Sequence, residues 1–176
     1  MNYVIRLAIS SDVDYLPAIE RAAARLFLPY LERLCLPLEL LEGLTTTQFL
    51  RRAQADQRLW VASVIKEPIG FVVVKFLLNS CFVIELDVHP SYGRQGIGSA
   101  LMRACCHGAS SRGAKWMILT TFRYVPWNIP FYRQLGFKEW PSEQWPVEIE
   151  AIVQHEARYG FLPEKRVVMR RQLRAA

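Results

Sequence analysis

The feature that most constrains the fold is a strand, a glycine-containing loop and a helix, which follow one another in the middle of the chain. The segment 82–88 is apolar and rich in β-branched residues, which predicts a partly buried strand. Pro90 cannot donate to a ladder of hydrogen bonds, so we expect the chain to leave the sheet at His89. From Ile97, apolar residues recur at spacings of three and four, which predicts a helix that begins inside the loop.

Three glycines, Gly93, Gly96 and Gly98, occupy this loop and the start of the helix. Glycine permits a positive φ and lets the backbone approach a ligand, and the free N–H groups of a helix N-terminus attract anions. We therefore predict a polyphosphate site, with a purely geometric turn as the alternative. A Walker loop is excluded because no Gly-Lys-Ser or Gly-Lys-Thr occurs, and a dinucleotide fingerprint is excluded because Leu101 stands where that motif needs Gly or Ala.

The net positive charge of the chain comes from one segment. Seven Lys or Arg residues and no Asp or Glu lie between Val88 and Lys138, against a net charge of +6 for the whole chain. This segregation predicts a local field for a polyanionic ligand. Nucleic acid is not expected as a partner, because the sequence has no zinc-finger spacing, no run of basic residues and no RNP-like aromatic motif.

Length and composition predict one domain over residues 1–176, since 176 residues with 52% hydrophobic content suffice for a single core. No apolar run is long enough to span a membrane and no signal peptide is recognisable, so we expect a soluble cytoplasmic protein without a membrane partner. The four cysteines have no CxxC spacing. They are expected to be reduced packing residues, and no metal site is expected.

The order of predicted elements indicates a mixed α/β fold. Strands are expected near 3–8, 59–65, 69–77, 81–88, 116–122 and 166–170, with a hairpin turn at 66–68. Helices are expected near 11–27, unevenly over 30–55, and over 97–112, 128–135 and 147–159. Ser10 or Ser11 is predicted to cap the first helix, Asn128 to cap the short one, and Gly113 to follow the end of the glycine-loop helix.

Two stretches resemble the GNAT superfamily of N-acetyltransferases. They are RQGIGSAL, which begins at Arg94, and NIPFYRQLGF, which begins at Asn128. The resemblance implies a GNAT-like α/β (α+β) domain, in which helices flank a mixed, mostly antiparallel sheet of about six to seven strands. It also implies an acetyltransferase that moves acetyl from acetyl-coenzyme A to a primary amine by direct attack in a ternary complex.

The resemblance further implies which residues hold acetyl-coenzyme A. The backbone from Leu86 to Val88 would pair with the pantetheine arm, and the Val88 N–H would polarise the thioester carbonyl. Gly93 stands where the family has Arg or Gln, and Arg94 follows it. The expected cofactor-binding residues are Leu86, Val88, Arg94, Gln95, Gly96, Ile97, Gly98, Ser99 and Asn128.

Acetyl transfer needs a neutral amine and a proton for the departing thiolate. Tyr132 matches the family's tyrosine and is the expected acid, since a phenol is protonated at neutral pH; a role in an aromatic core is the alternative. Glu85 is the expected base, with Asp87 on the same strand face and simple solvation as alternatives. His89 and His107 are weaker candidates.

The sequence leaves the acceptor open among a small amine, an amino acid, an aminoglycoside, a peptide N-terminus and a lysine side chain. Glu20 or Glu32 could attract an amine, and aromatic residues of the 122–127 loop could line an apolar slot. The alternative function is a coenzyme A-binding sensor without turnover. Formation of a homodimer, common among similar proteins, is also left open.

Overall fold

The fold is organised around one seven-stranded sheet. The structure, a computed structural model, describes residues 2–43 and 45–174. The strands are β1 (Val4–Leu7), β2 (Leu59–Val64), β3 (Glu67–Phe76), β4 (Ser80–Val88), β5 (Trp116–Phe122), β6 (Lys138–Glu139) and β7 (Arg166–Gln172). They are ordered β1-β2-β3-β4-β5-β7-β6, and every neighbouring pair is antiparallel except β4 and β5. The predicted mixed, mostly antiparallel sheet is confirmed.

Helices flank this sheet. They are α1 (Leu16–Ala24), α2 (Leu31–Leu34), α3 (Leu38–Glu42), α4 (Thr47–Ala55), α5 (Ile97–Ser111), α6 (Asn128–Gln134) and α7 (Val147–Arg158). Short 3-10 turns at Ser10–Tyr15 and Arg25–Tyr30 extend α1 at both ends. The region predicted to be unevenly helical over 30–55 is three short helices, because Pro37 and Gly43 separate them.

The parallel contact between β4 and β5 is short. Only Ser80–Phe82 pairs with Trp116–Ile118, although both strands continue well beyond these residues. The register between β3 and β4 shifts at Ile84, since Val73 lies opposite Glu85 while Val74 lies opposite Val83. Such a bulge bends a strand, so the carboxyl-terminal half of β4 turns away from β5.

Both faces of the sheet are covered by apolar packing. On one face α5 contributes Leu101 and Met102 to a core with Val72 and Met117 from the strands. On the opposite face α1 and α4 supply a second core, which contains Leu16, Ile19, Leu50, Val61, Phe71 and Val73. A strand covered on both faces is expected to be apolar throughout, as the buried centre of β3 is.

Glycines mark both ends of α5. Gly96 precedes its first residue with φ +79°, and Gly113 follows its last turn with φ +84°. L-residues reach this left-handed region at a cost, so glycine suits both positions. The predicted helix and its terminal glycine are therefore confirmed.

Two local predictions were wrong. Ser10 and Ser11 do not cap a helix; instead the Asp12 carboxylate accepts a 2.7 Å hydrogen bond from the Ile9 N–H and pairs with Arg6 at 2.6 Å. The β2–β3 turn lies at 65–66, one residue earlier than predicted, and both of its residues have positive φ. Two residues with positive φ have the twist that a two-residue hairpin turn requires. The turn therefore lies before Pro68, although proline favours turns and led to the prediction of 66–68.

Among the described residues, no helix combines the length and the apolar character needed to cross a membrane.

The contact between α5 and β2 gives a stability prediction. A Cβ at Gly108 would lie 2.5 Å from Cζ2 of Trp60, whose ring is buried. We expect Gly108→Ala to lower the free energy of unfolding by about 1–2 kcal/mol, because overpacking costs more than the helix propensity that alanine gains. Urea unfolding would measure this change.

Two variants control for this interpretation. His107→Ala, at the exposed neighbouring position of α5, is expected to change stability by less than about 0.5 kcal/mol. Trp60→Phe removes the clashing ring atom, so Gly108→Ala should cost less in that background. An equal cost in both backgrounds would contradict the steric explanation.

Candidate active site

A cavity of about 1010 Å³ opens where β4 and β5 diverge. Its walls come from the end of β4, the loop before α5, the first turn of α5, and parts of α1, α6 and β5. The predicted site residues that line it are Glu85, Leu86, Val88, Arg94, Gly96, Ile97, Gly98, Ser99, Asn128 and Tyr132. Gln95 is the member of the predicted set that does not line it.

The glycine loop presents bare backbone to this cavity. A Cβ at Gly96 would meet nothing within 4 Å, and a Cβ at Gly98 would lie 3.4 Å from the Phe131 ring. The first N–H groups of any α-helix lack partners within the helix, and here the helix that begins at Ile97 has fifteen residues. The loop and helix therefore offer donors and a favourable dipole to an anion.

The wider electrostatic prediction was wrong. Of the seven cations in the basic segment, only Arg94 lines the cavity. Arg123 and Arg133 both pair with Glu139, at 3.5 and 2.6 Å, and Arg112 donates to the Asp56 carbonyl. Folding thus distributes the segregated charge over the surface and leaves one arginine at the loop.

Three carboxylates meet in the wall of the cavity. Oxygens of Glu20, from α1, and of Glu85 and Asp87, from β4, all lie within 4.8 Å of one another. Glu20 and Asp87 are 7% and 8% exposed. Glu20 Oε1 accepts hydrogen bonds from the Thr45 N–H and hydroxyl at 2.8 and 2.9 Å. Glu20 Oε2 and Asp87 Oδ2 have no hydrogen-bond partner within the described part of the chain.

This crowding makes the carboxylates hard to ionise. Burial, strengthened by the charge of Glu20, raises the pKa of Glu85 to about 7. Burial and the charges of Glu85 and Glu20 raise the pKa of Asp87 well above its ordinary value. The pKa of Glu20 is raised by burial and held back by the hydrogen bonds from Thr45. A proton acceptor that titrates near neutrality is thus present in the cavity.

Tyr132 lies on α6 and lines the same cavity. Its ring packs edge-on against Phe131 and Phe137, with centroids 5.0 and 5.8 Å away. Burial raises the pKa of Tyr132, and the neighbouring charges of Glu85 and Asp87 raise it further. The phenol therefore stays protonated at neutral pH and can donate a proton.

Asn128 does not cap α6, contrary to the prediction. It is the first residue of the helix, and the capping position belongs to Trp127, which makes no side-chain cap hydrogen bond. Asn128 is 8% exposed and lines the cavity. Its side chain is therefore a buried polar group in the cavity wall.

Sequence reasoning missed a polar group in the cavity wall. Arg166 donates to the Thr120 hydroxyl at 2.6 Å, lies 3.3 Å from Glu156, and stacks against Phe122 and Phe161 at 4.7 and 5.2 Å. These residues are remote in sequence, and the pairing of β7 with β5 brings Arg166 beside Thr120. No local spacing signals this arrangement.

The remaining candidates lie elsewhere. His107 is exposed on α5 and Glu32 is exposed on α2, and neither they nor His89 line the cavity. The cysteines do not line it either. Three of them, Cys81, Cys105 and Cys106, are buried as expected, whereas Cys35 is exposed.

Comparison with known proteins agrees with this geometry. Residues 55–139 match the family model for the acetyltransferase (GNAT) domain. This segment of the chain is similar to the GNAT acetyltransferase family. The matched region contains β2 to β5, the glycine loop, α5 and α6, and so includes most of the cavity wall.

Solved structures share the fold of this protein at low sequence identity. One is the PaiA N-acetyltransferase of Thermoplasma acidophilum in complex with coenzyme A, at 17% identity and a TM-score of 0.75, covering 98% of this chain and 99% of that one. A second is the ribosomal-protein-S18-alanine N-acetyltransferase of Escherichia coli, at 16% identity and a TM-score of 0.67, covering 99% and 96%.

A third is the N-acetylglutamate synthase of Neisseria gonorrhoeae complexed with coenzyme A and N-acetyl-glutamate. It has 15% identity and a TM-score of 0.72, and the alignment covers 99% of this chain but 36% of that one. The shared fold thus occurs both in proteins of this size and within a longer chain.

Proposed function

We propose that this protein, as a single GNAT domain, transfers acetyl from acetyl-coenzyme A to a primary amine by direct attack in a ternary complex. One observation carries the proposal: Glu85 and Tyr132 line the same cavity, between diverging strands and beside a glycine loop at a helix N-terminus. An acid, a base and an anion-binding backbone are the groups that this reaction requires.

The cavity suits acetyl-coenzyme A on physical grounds. The N–H groups from Ile97 to Ser99, together with Arg94, would hold its pyrophosphate. Beyond its pairing with β5, β4 offers an edge along which the backbone of Leu86 and Val88 would pair with the extended pantetheine arm. Acetyl-coenzyme A supplies an activated acyl group as a thioester. Asn128, buried at the same wall, would add a side-chain hydrogen bond.

The protonation states of Glu85 and Tyr132 suit opposite roles. With a pKa of about 7, Glu85 is partly ionised at neutral pH and accepts the proton that the amine loses as the carbon–nitrogen bond forms. Tyr132 donates a proton to sulfur as the carbon–sulfur bond breaks, and solvent then reprotonates it. Environments that push two pKa values apart are a general way to assign an acid and a base.

The thiols of the protein support a route without a covalent enzyme intermediate. Burial raises the pKa of Cys81 to about 12 and that of Cys106 to about 11, so neither is a thiolate at neutral pH. Cys105 is shifted in the same direction by burial. Since the cysteines also lie off the cavity wall, the amine is the nucleophile.

Calorimetric titration of acetyl-coenzyme A, followed by measurement of thiol release with a panel of amines, tests the proposal. We expect saturable binding at one site and release that depends on the amine. Binding without release from any amine would favour a coenzyme A sensor, and absence of binding would contradict the assignment of the glycine loop.

Removal of the phenol tests the acid. Tyr132→Phe keeps the ring packing, and we expect it to lower kcat by about 100- to 10,000-fold while the Kd for acetyl-coenzyme A stays unchanged. Tyr159→Phe is the control, since Tyr159 is 60% exposed and lies outside the cavity. Unchanged turnover in Tyr132→Phe would remove Tyr132 from the mechanism.

The dependence of activity on pH tests the base. Because Glu85 must be ionised to accept a proton, kcat/KM should rise as pH increases through about 7. Glu85→Gln should lower kcat/KM by about 100- to 10,000-fold and abolish this limb of the profile. Two amines of different basicity separate the limb from ionisation of the acceptor. A limb near pH 7 that survives in Glu85→Gln would contradict the assignment.

A further inference from the structure

The cavity carries more carboxyl groups than proton transfer requires. Only one carboxylate has to act as the base, yet Glu20, Glu85 and Asp87 lie within 4.8 Å of one another. Two of them, Glu20 and Asp87, are more than nine-tenths buried, and each has an oxygen without a hydrogen-bond partner among the described residues. Buried charges of like sign destabilise a protein unless a cation or a proton compensates them.

The cation whose charge lowers the pKa of Glu85, Arg166, is already paired with another carboxylate. Arg166 lies 3.3 Å from Glu156 and donates to Thr120, so this pair adds no net charge to the cavity. Arg94 belongs to the glycine loop, where it would face the pyrophosphate. Among the described residues, no Lys or Arg forms a salt bridge with any of the three carboxylates, although the charges of Arg166 and Arg21 lower the pKa of Glu85 and of Glu20. A ligand with a carboxylate beside its amine would therefore find no unpaired arginine next to them.

A monoamine would not balance this charge during the reaction. Its nitrogen must be neutral when it attacks, so a ligand with one amine loses its only positive charge at that step. A second ammonium on the same molecule keeps its charge throughout and remains on the acetylated product. The three carboxylates thus fit an acceptor with at least two amines better than one with a single amine.

Another part of the cavity wall is aromatic. Phe27 lies 5.2 Å from Phe122 and 6.1 Å from Trp127, measured between ring centroids, and all three line the cavity. Such rings bury methylene groups and attract cations through their faces. A cavity lined by both carboxylates and aromatic rings is suited to a flexible hydrocarbon chain that bears ammonium groups.

We propose that the acceptor is a linear aliphatic diamine or polyamine, and that Glu20 and Asp87 hold the ammonium that does not react. This inference rests on the proposed acetyl transfer and narrows its substrate class. Glu85 takes the proton of the attacking amine, a carbon–nitrogen bond forms, and the carbon–sulfur bond breaks. Free amino acids are excluded as preferred acceptors, because their carboxylate would lie near three others.

Three ligands of similar length provide the test. They are putrescine, the linear four-carbon diamine; pentylamine, in which a methyl group replaces the second ammonium; and γ-aminobutyrate, in which a carboxylate replaces the second ammonium and its methylene group. Thiol release is measured for each at saturating acetyl-coenzyme A. We expect kcat/KM for putrescine to exceed that for pentylamine by about tenfold or more, mainly through KM, and γ-aminobutyrate to be the poorest.

Glu20→Gln tests whether the three carboxylates cause the preference for a diamine over a monoamine. The amide oxygen still accepts hydrogen bonds from Thr45, so the side chain remains anchored while its charge is lost. We expect the ratio of putrescine to pentylamine to fall by about tenfold. Glu32→Gln, which makes the same change at an exposed position off the cavity, should keep the wild-type ratio.

The outcomes distinguish this inference from the proposed function. If pentylamine reacts as well as putrescine, or if γ-aminobutyrate is preferred, the diamine inference is overturned while acetyl transfer stands. If neither amine releases thiol although acetyl-coenzyme A binds, the inference is also overturned. Loss of acetyl-coenzyme A binding would instead count against the proposed function. The ranking in the unsubstituted protein decides the question even if Glu20→Gln fails to fold.

Discussion

The parallel pairing of β4 with β5 ends after three residue pairs, and the site depends on that early end. Unpaired backbone in a protein interior is costly, so two strands normally stay together as far as both extend. Here the bulge at Ile84 turns β4 aside, and the gap exposes an edge of the sheet inside the molecule. The geometry of the sheet therefore creates the cavity, and the side chains determine only what lines it.

The same geometry explains why acidic residues occur in the middle of the fold. In a continuous sheet, Glu85 and Asp87 would lie under α1 with no compensation, and a chain with three buried carboxylates would be expected to fold poorly. Because β4 turns away from β5, these groups reach a cavity. The pKa values of Glu85 and Asp87 are raised because protonation relieves part of the repulsion between these buried groups.

The sequence predicted those parts of the fold that local rules control. The strand 81–88, the glycine loop and the helix after it follow from periodicity and from glycine placement, and the structure has all three. The N-terminal cap was missed because Asp12 pairs with Arg6, a contact between elements that spacing does not reveal. The contribution of Arg166 was missed for a similar reason, since only the pairing of β7 with β5 places it at the cavity.

In the loop before α5, glycine and arginine occupy positions that do not match their preferred φ angles. Gly93 has φ −62°, which any residue can adopt, whereas the next residue, Arg94, has φ +58°, which favours glycine. A side chain in this region costs about 1–2 kcal/mol, and the rest of the fold offsets this cost. The direction of its guanidinium is thereby coupled to the shape of the loop. Any ligand that reshapes the loop also redirects the only basic side chain that the loop carries.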